Sequence, residues 1–344
     1  MTEVASHIVW RRGRWSLRLA RRGVMASAGL ALALVALMGA SLCLGDYSLN
    51  LGQVWQAVFG DGDGAFVVTT LRAPRILTGA FAGACFGLSG AMLQSLARNP
   101  LASPDLLGFT QGAGLGAVAT IVLVGSGDWV TAGAVGGGLL AAALVGLLSW
   151  RGGFRIWRVV LVGIGVGFTF WAGIDLLMTR GDIFEAAAAT QWLTGSLNSR
   201  LWSHVAVSGI GLAVLGPVAL GLGRSLDHLG LGEDTAAGLG VRVGAVRIAT
   251  AITAVLLAAV AVSACGPVAF VALVAGPLGR RIAGGPGPAL GPAALIGAAL
   301  LVAADLSGRT VVAPMQLPAG LFTALLGAPY LLWLLAIQIR KGTL

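Results

Sequence analysis

The chain has 344 residues, of which 57% are hydrophobic and only 10% are charged. This composition excludes a soluble enzyme and is typical of a polytopic membrane protein. The formal net charge of +9 would suggest a nucleic-acid partner in a soluble protein, but no basic patch interleaved with aromatic residues supports that interpretation, so no such partner is expected.

The first 25 residues are strongly basic and include the segment WRRGRWSLRLARR. A cleaved signal peptide also begins with a basic region, but the apolar run that follows, Ala26–Leu44, is longer than a usual signal-peptide core, and ASLCLG is a poor cleavage site. We therefore expect residues 1–25 to form a basic cytoplasmic segment before an uncleaved first span. This segment either lies on the anionic lipid surface or simply sets the topology.

Further apolar runs are long enough to cross a ~30 Å hydrocarbon layer as helices. They lie at Ile76–Leu96, Leu106–Val124, Val130–Leu148, Val159–Met178, Val205–Leu222, Val246–Ala264, Ala289–Leu306 and Ala319–Ile339. The segment Gly266–Arg280 is shorter and contains two prolines, so it is either a broken crossing or a re-entrant segment. Counting it as a crossing gives about ten spans and places most of the 22 basic residues, and both termini, in the cytoplasm. The predicted fold is an all-α polytopic membrane domain over residues 26–340.

Glycine and cysteine patterns point to helix packing. Four glycines in the second span, at spacings of four, four and three, line one helical face: Gly79, Gly83, Gly87 and Gly90. Such a stripe predicts a closely packed neighbouring helix, and the Gly-rich runs of the fourth and fifth spans predict similar contacts. Packing is also the expected role of the three cysteines, Cys43, Cys85 and Cys265. Because the three histidines are scattered singly, no metal site is expected.

Two sources of transport energy are missing from the sequence. The only lysine is Lys341, near the end of the chain, so a phosphate-binding loop of the form GxxxxGK[ST] cannot form and we do not expect this chain to be an ATPase. Asp175 and Asp305 lie within apolar runs but near the predicted outer ends. A proton- or sodium-coupled carrier would need carboxylates near the bilayer midplane, so this alternative is weakly supported.

The stretch SLARNPLASPDLLGF, Ser95–Phe109, places polar residues between two apolar runs. Pro100 stops the preceding helix and favours an extended backbone at Asn99. The tripeptide at residues 103–105, Ser-Pro-Asp, predicts the start of the next helix, with the serine as N-cap. We interpret the stretch as a rigid cytoplasmic elbow, which is either the mouth of a pathway or a plain tight turn.

This elbow and the helix before it resemble the hallmark segment of permeases in the iron-siderophore, haem and vitamin B12 branch of ABC importers. The resemblance is carried by LRAPRILTGAFAGACFGLSGAMLQSLARNPLASPDLLGF and continues, in order, with WLTGSL, LGEDTAAGLGVRV, GPVAFVALV, AADLSGRT and QLPAGLFTALLGAPYLLWLL. It covers nearly the whole chain after the basic segment, and it is strongest to ferric-enterobactin-type permeases. Several motifs in order are far more specific than any one of them alone.

The resemblance implies the architecture of a type II ABC importer permease, with ten transmembrane helices in each subunit. It implies a dimer with a second copy or a paralogue, two ATP-binding subunits that carry ATP and magnesium, and a periplasmic or lipoprotein binding protein. The chain itself would need no cofactor, and its surroundings would be the lipid of a bacterial cytoplasmic membrane.

Site residues are transferred from the family one by one. Arg72, Arg75 and Arg309 match positions that present cations to glutamates of the binding protein, with ordinary snorkelling at the membrane interface as the alternative. Asn99 and Leu101 match the cytoplasmic gate, where the two permeases meet.

The segment at about 231–244 resembles the coupling helices that contact the ATPase, with a solvated loop as the alternative. Its expected contributors are Glu233, Asp234, Thr235, Gly238 and Gly240. The chain departs from the family at Ala275-Gly276-Pro277, where the proline falls one position late, and no function is transferred to that position.

The resemblance therefore implies import of a ferric siderophore by an ATP-driven complex. Haem or cobalamin import is the alternative within the same family, since such permeases leave much selectivity to the binding protein. An ion-coupled carrier and a purely structural membrane protein are the alternatives from other classes. The last of these does not explain the ordered motifs.

Overall fold

A computed structural model describes residues 7–12, 15–45, 47–60, 64–125, 127, 129–150, 156–285, 287–312 and 315–340. Parts of the predicted basic segment, at residues 1–6 and 13–14, lie outside the described residues, as do Arg151, Arg155 and Lys341. The described part of the basic segment forms an antiparallel hairpin of strands β1 (His7–Arg12) and β2 (Trp15–Ala20), in which His7 is paired with Ala20.

All other regular structure in the described ranges is helical. In chain order the α-helices are α1 (Arg21–Cys43), α2 (Leu51–Phe59), α3 (Ala73–Ala97), α4 (Phe109–Leu123), α5 (Trp129–Ser149), α6 (Ile156–Met178), α7 (Ile183–Leu193), α8 (Trp202–Gly230), α9 (Glu233–Gly238), α10 (Val243–Cys265), α11 (Val271–Ala283), α12 (Leu290–Thr310) and α13 (Ala319–Arg340). A π-helical segment, Val67–Arg72, leads into α3, and a 3-10 turn, Pro104–Leu107, precedes α4.

Within the described residues, 8 helices are long and apolar enough to cross a membrane: α1, α3 with its π-helical extension, α5, α6, α8, α10, α12 and α13. The predicted third span is the shorter helix α4, with 15 residues, and the predicted broken segment is α11, with 13 residues and Pro277 inside it. Together these helices account for the predicted spans. The all-α membrane fold is thus confirmed.

Most helices begin a few residues before or after the predicted start, including α1 and α4. Helix α1 begins at Arg21, ahead of the expected Ala26. Helix α4 begins at Phe109, after the expected Leu106, because Gly108 adopts φ 78° and separates the 3-10 turn from the helix. The sequence prediction that residues 103–105 begin α4 itself was wrong, since a glycine in the left-handed region ends one helical segment before the next can begin.

Helix α3 is the centre of the bundle and is buried along most of its length. It packs against α8, α10, α11 and α12. The predicted close packing of its glycine face is confirmed. A Cβ on Gly83 would lie 2.4 Å from the carbonyl oxygen of Gly297 in α12, and one on Gly90 would lie 1.9 Å from that of Ala272 in α11. Only glycine allows these helix axes to approach so closely.

Glycines of the fourth span also pack as predicted. A Cβ on Gly137 of α5 would lie 2.1 Å from the carbonyl oxygen of Gly112 in α4. The fifth span differs in part, because the glycines of its Gly-rich run contact the elbow, whereas Gly173 further along α6 lies against Leu115 of α4. A Cβ on Gly108 would lie 2.6 Å from the carbonyl oxygen of Gly163, while a Cβ on Gly165 would meet nothing within 4 Å. Glycines in α6 therefore position the elbow.

Candidate functional site

An ion-pair network lies at one end of the bundle, where α1 and α12 end and α3 begins. We call it the outer end, since the sequence predicts that it faces outside. The guanidinium group of Arg75 contacts the carboxylate of Asp305, with Nη2 2.9 Å from Oδ1 and Nε 3.0 Å from Oδ2. The Nε atom of Arg309, one turn further along α12, lies 3.3 Å from Asp305 Oδ2. One buried carboxylate thus forms ion pairs with two cations, so the network keeps a net positive charge.

Polar groups of three neighbouring segments complete this network. Arg75 Nη1 donates to Gln316 Oε1 at 2.9 Å and to Asn198 Oδ1 at 3.3 Å. Arg309 Nη2 donates to the hydroxyl of Ser41 at the end of α1. Such charge-assisted hydrogen bonds are stronger than neutral ones, especially away from water. The network therefore fixes α1, α3 and α12 to the segments that carry Asn198 and Gln316.

Arg72 has separate partners at the same end. Its guanidinium group donates to the backbone carbonyl of Leu42 at 2.6 Å and to that of Tyr47. Leu42 lies in the last turn of α1, and Tyr47 lies within the connection from α1 to α2. Arg72 therefore links this connection to the start of α3 through hydrogen bonds.

The predicted docking arginines are brought together by the structure, but they are not exposed. Arg72, Arg75 and Arg309 are only 6%, 7% and 6% exposed. The sequence predicts outward-facing charges at these positions. The structure corrects this prediction, because each guanidinium group points inward and contacts a carboxylate or backbone carbonyl groups. Their docking role stays a prediction.

Sequence reasoning missed Asp305, Asn198 and Gln316 as members of the site. One signal was present: Asp305 and Arg309 are four residues apart in an apolar run, the spacing of neighbours on one helix face. A carboxylate within the membrane is costly unless a cation or a hydrogen-bond donor pairs with it. No comparable signal marks Asn198 or Gln316, since their contact with Arg75 depends on the tertiary fold.

The elbow at the opposite end is held by its own polar groups. Helix α3 ends at Ala97, and Arg98 caps it in the left-handed region with φ 50°. The side-chain oxygen Oδ1 of Asn99 accepts a hydrogen bond from the backbone N–H of Leu101 at 2.9 Å, which is an Asx-type turn. Asn99 is exposed and Leu101 is half-buried. The predicted gate residues thus form one short, fixed turn.

The next part of the elbow differs from the predicted cap. Ser103 precedes the 3-10 turn but its side chain makes no capping hydrogen bond. Asp105 instead accepts a hydrogen bond from the hydroxyl of Thr110 in α4, with Oγ1 2.7 Å from Oδ1. Burial raises the pKa of Asp105 above its ordinary value, and the Thr110 bond acts in the opposite direction. This carboxyl joins the elbow to α4.

A polar cavity of about 340 Å³ opens beside the predicted gate. Its wall includes Gln94, Arg98, Asn99, Asp227 and Arg280. Arg280 Nη2 donates to Gln94 Oε1 at 3.1 Å, and Gln94 Nε2 donates to the backbone carbonyl of Leu273 at 3.0 Å. These bonds join α3 to α11 at the end of the bundle where the gate is expected.

The segment predicted to contact an ATPase contains one short helix, α9. Glu233 and Asp234 lie in its first turn, Thr235 follows, and Gly238 is its last residue. Gly240 has φ 83° and donates its N–H to the carbonyl of Ala237 at 2.9 Å. The tight joint therefore depends on Gly240, whereas Gly238 is not in the left-handed region.

Two further features of this segment, one contact and one backbone angle, escaped sequence reasoning. The carboxylate of Glu233 forms a salt bridge with Arg247 in α10. Gly232, directly before α9, has φ 120°. Both fix the direction in which α9 leaves the bundle. Among the described residues, no group of three or more His, Cys, Asp or Glu side chains could hold a metal ion.

The sequence of this chain is similar to those of known proteins. Residues 30–337 match the family model described as the FecCD transport family. The ferric enterobactin transport system permease protein FepG of Escherichia coli (strain K12) is 40% identical over 300 residues, which cover 86% of this chain and 91% of FepG. The achromobactin transport system permease protein CbrC of Dickeya dadantii (strain 3937) is 36% identical over 340 residues, 96% of this chain and 97% of CbrC.

A solved structure has the same fold. It shows an inward-facing conformation of an ABC transporter of the metal-chelate type, and it matches with a TM-score of 0.80 and 28% sequence identity over 91% of this chain and 99% of that chain. The helix count, the order of the motifs and these matches agree. The chain belongs to the FecCD transport family and is a multi-pass membrane permease subunit of an ABC importer.

Proposed function

We propose that this permease moves ferric siderophores across the bacterial cytoplasmic membrane. The observation that carries the proposal is the match to FepG, a ferric enterobactin permease, along 86% of this chain. The second relative described above is named for the transport of achromobactin. The two similarities cover 86% and 96% of this chain, so they include most of the transmembrane bundle.

In the proposed complex, two ATP-binding subunits power two permeases, and a binding protein delivers the cargo at the outer end. The second permease is a copy of this chain or a paralogue. ATP and magnesium belong to the ATP-binding subunits, since this chain lacks the lysine of a phosphate-binding loop. Arg224, Arg242 and Arg281 lie at the end opposite the arginine network, which supports a cytoplasmic position for that end and for both termini.

We propose that the outer network serves binding-protein docking through Arg72, Arg75 and Arg309. In the described structure these arginines hold Asn198, Gln316 and the α1–α2 connection in place. The binding protein would then meet a surface of fixed shape, which sets its register. The buried guanidinium groups position this surface and also give it a positive potential.

We propose that Asn99 and Leu101 form the cytoplasmic gate. The support is local: the turn is closed by the Asn99 side chain and contains Pro100, so it is a rigid piece of backbone. It also borders the polar cavity that contains Arg98 and Arg280. A rigid, partly exposed turn beside a cavity suits a gate that opens and shuts as a unit.

We propose that α9 and the joint after it transmit movement from the ATPase to the bundle. The replacement Gly240→Val should lower binding-protein-stimulated ATP hydrolysis severalfold, because valine is strongly disfavoured at φ 83° and the joint must rearrange. ATP hydrolysis by the assembled complex in vesicles measures this effect.

The matched control for this test is Gly221→Val. Gly221 lies in α8, outside the proposed coupling segment and outside the left-handed region, and a Cβ there would meet nothing within 4 Å. Stimulation should stay near that of the unaltered complex, and both variants should insert in the membrane. Full stimulation of Gly240→Val, or an equal loss in Gly221→Val, would refute the coupling role of the joint.

The cargo is tested by uptake. We expect vesicles that contain the complex, with binding protein outside and ATP inside, to accumulate ferric siderophore, whereas haem and cobalamin in parallel assays should stay at background. Co-purification of the chain with the products of neighbouring genes supplies the partners. Accumulation of haem or cobalamin instead of the ferric siderophore would reassign the substrate within the family.

A further inference from the structure

Helix α2 is a short helix at the outer end that the arginine network does not include. Asn50 and Gln53 form a capping box at its start: Asn50 Oδ1 accepts from the N–H of Gln53 at 2.8 Å, and Gln53 Oε1 accepts from the N–H of Asn50 at 2.9 Å. Gly60 follows at its end. Because its ends are defined locally, α2 is an element of its own rather than a frayed continuation of α1.

The nine residues of α2 divide into three faces around the helix axis. The first face packs on the protein: Val54 and Ala57 are buried against Leu42, Cys43 and Val68. The second face is polar and exposed, and it consists of Gly52, Gln53 and Gln56. The third face, here called the open apolar face, consists of Leu51, Trp55, Val58 and Phe59.

The open apolar face is large and continuous. Leu51 is 73% exposed, Trp55 67% and Phe59 71%, and the rings of Trp55 and Phe59 lie 4.5 Å apart between centroids. At 3.6 residues per turn, the apolar side chains cover an arc of about 200°, of which the protein covers only about 60°. Exposed aromatic and aliphatic side chains on one arc mark a surface that another apolar medium covers.

The position of α2 places this face at the level of the membrane boundary. Exposed tryptophans begin two membrane helices at the same end, Trp129 in α5 and Trp202 in α8, and tryptophan prefers the membrane–water interface. The indole N–H of Trp202 donates to the carbonyl of Thr69 at 3.1 Å, within the π-helical segment that α2 packs against. Helix α2 therefore lies near the depth of these tryptophans.

The helix beside α2 also exposes apolar side chains. Helix α1, which α2 packs against, has no buried residue in its most apolar window and exposes Leu32 and Val35. The open apolar face of α2 thus lies next to a helix of membrane-spanning length with an exposed apolar surface. Its own polar face contains only neutral side chains, so α2 offers no charge to a binding protein.

We propose that α2 is an interfacial anchor, with Leu51, Trp55 and Phe59 inserted at the boundary between the headgroups and acyl chains of the bilayer and with Gln53 and Gln56 facing water. Amphipathic helices bind this boundary through buried apolar area. The anchor ties the α1–α2 connection, and with it the carbonyl groups that hold Arg72, to a fixed depth. This inference does not depend on which cargo the permease moves.

Spin labels at neighbouring positions of α2 test the proposal in the full-length chain. Cys85 and Cys265 are buried, so a Cys43→Ser background leaves no reactive thiol among the described residues. The labelled variants are Trp55→Cys and, as the matched control on the polar face, Gln56→Cys. The chain is reconstituted in vesicles of phosphatidylcholine and phosphatidylglycerol, and collisions with oxygen, which dissolves in lipid, and with a water-soluble nickel chelate are measured.

The ratio of oxygen to nickel accessibility should be severalfold higher at position 55 than at position 56. A label in Phe59→Cys should behave like the one at position 55, which keeps the test valid if one variant folds poorly. Equal nickel access at positions 55 and 56 would overturn the proposal in favour of a water-exposed helix. Shielding of position 55 from both reagents would overturn it too, because a protein surface would then cover the face, and repeating the measurement with the binding protein would identify that partner.

Discussion

The replacement Asp305→Ala should destabilise the permease by about 3–5 kcal/mol, because removal of one partner from a buried ion pair leaves the remaining charge without compensation. Here two cations lose the same carboxylate, since both Arg75 and Arg309 contact Asp305, and the Asp305 side chain is only 2% exposed. Thermal unfolding in detergent, followed by tryptophan fluorescence, measures the change. The yield of monodisperse protein should fall with it.

The control for this prediction is Asp175→Ala. Asp175 is also an acidic residue within an apolar helix near the outer end, but its side chain is exposed. Its removal should leave the unfolding temperature almost unchanged. The isosteric replacement Asp305→Asn should fall between the two, since an amide oxygen still accepts hydrogen bonds from the arginines but carries no charge. Equal stability of Asp305→Ala and Asp175→Ala would contradict the proposed network.

The replacement Gly87→Ala should also be strongly destabilising, although it adds only one methyl group. The new Cβ would lie 2.1 Å from the carbonyl oxygen of Ala293 in α12, so α3 and α12 would have to move apart. Overpacking of a tight core costs about 1–3 kcal/mol, and we expect the upper part of this range because the obstacle is backbone. The measurement is the same thermal unfolding series.

Gly136→Ala is the matched control, since a Cβ on this α5 glycine would meet nothing within 4 Å. Alanine is the better helix former by about 1 kcal/mol, so this variant should be as stable as the unaltered chain or slightly more stable. The two Gly→Ala changes thus have opposite predicted signs. Equal effects would show that the helices are not in close contact along the α3 face.

Much of this fold was predictable because membrane helices are encoded by local sequence. Apolar runs and the glycine spacing of the second span predict helices and a tight contact without knowledge of the partner helix. The limits of prediction lie at the ends of helices. Gly108 shifts the start of α4, and Arg98 adopts the left-handed conformation that glycine usually provides. Such backbone conformations depend on contacts with neighbouring segments more than on the local sequence pattern.

The outer network shows why the candidate site was only partly predictable. Motifs identified Arg72, Arg75 and Arg309, and the apolar run drew attention to Asp305. Their mutual contacts depend on chain folding, since Arg75 and Asp305 are separated by 230 residues in sequence. The prediction of outward-facing arginines treated each side chain as if it had no contact with the others. Inside the bundle a guanidinium group loses its hydration, so a nearby carboxylate or carbonyl group must pair with it.

The permease combines a tightly packed centre with two specialised ends. Close glycine contacts fix α3 against its neighbours. At the outer end the arginine network holds the surface that would receive the binding protein. At the opposite end the elbow and α9 form separate short units. A permease driven by other subunits needs this division between a stiff bundle and contact segments.

Uptake into vesicles that contain the purified chain tests the central claim most directly. With the chain alone, neither a proton gradient nor a sodium gradient should drive accumulation of ferric siderophore. When the ATP-binding subunits and the binding protein are added, ATP should drive it without any ion gradient. Uphill accumulation by the chain alone under an ion gradient would contradict the claim that other subunits power this permease.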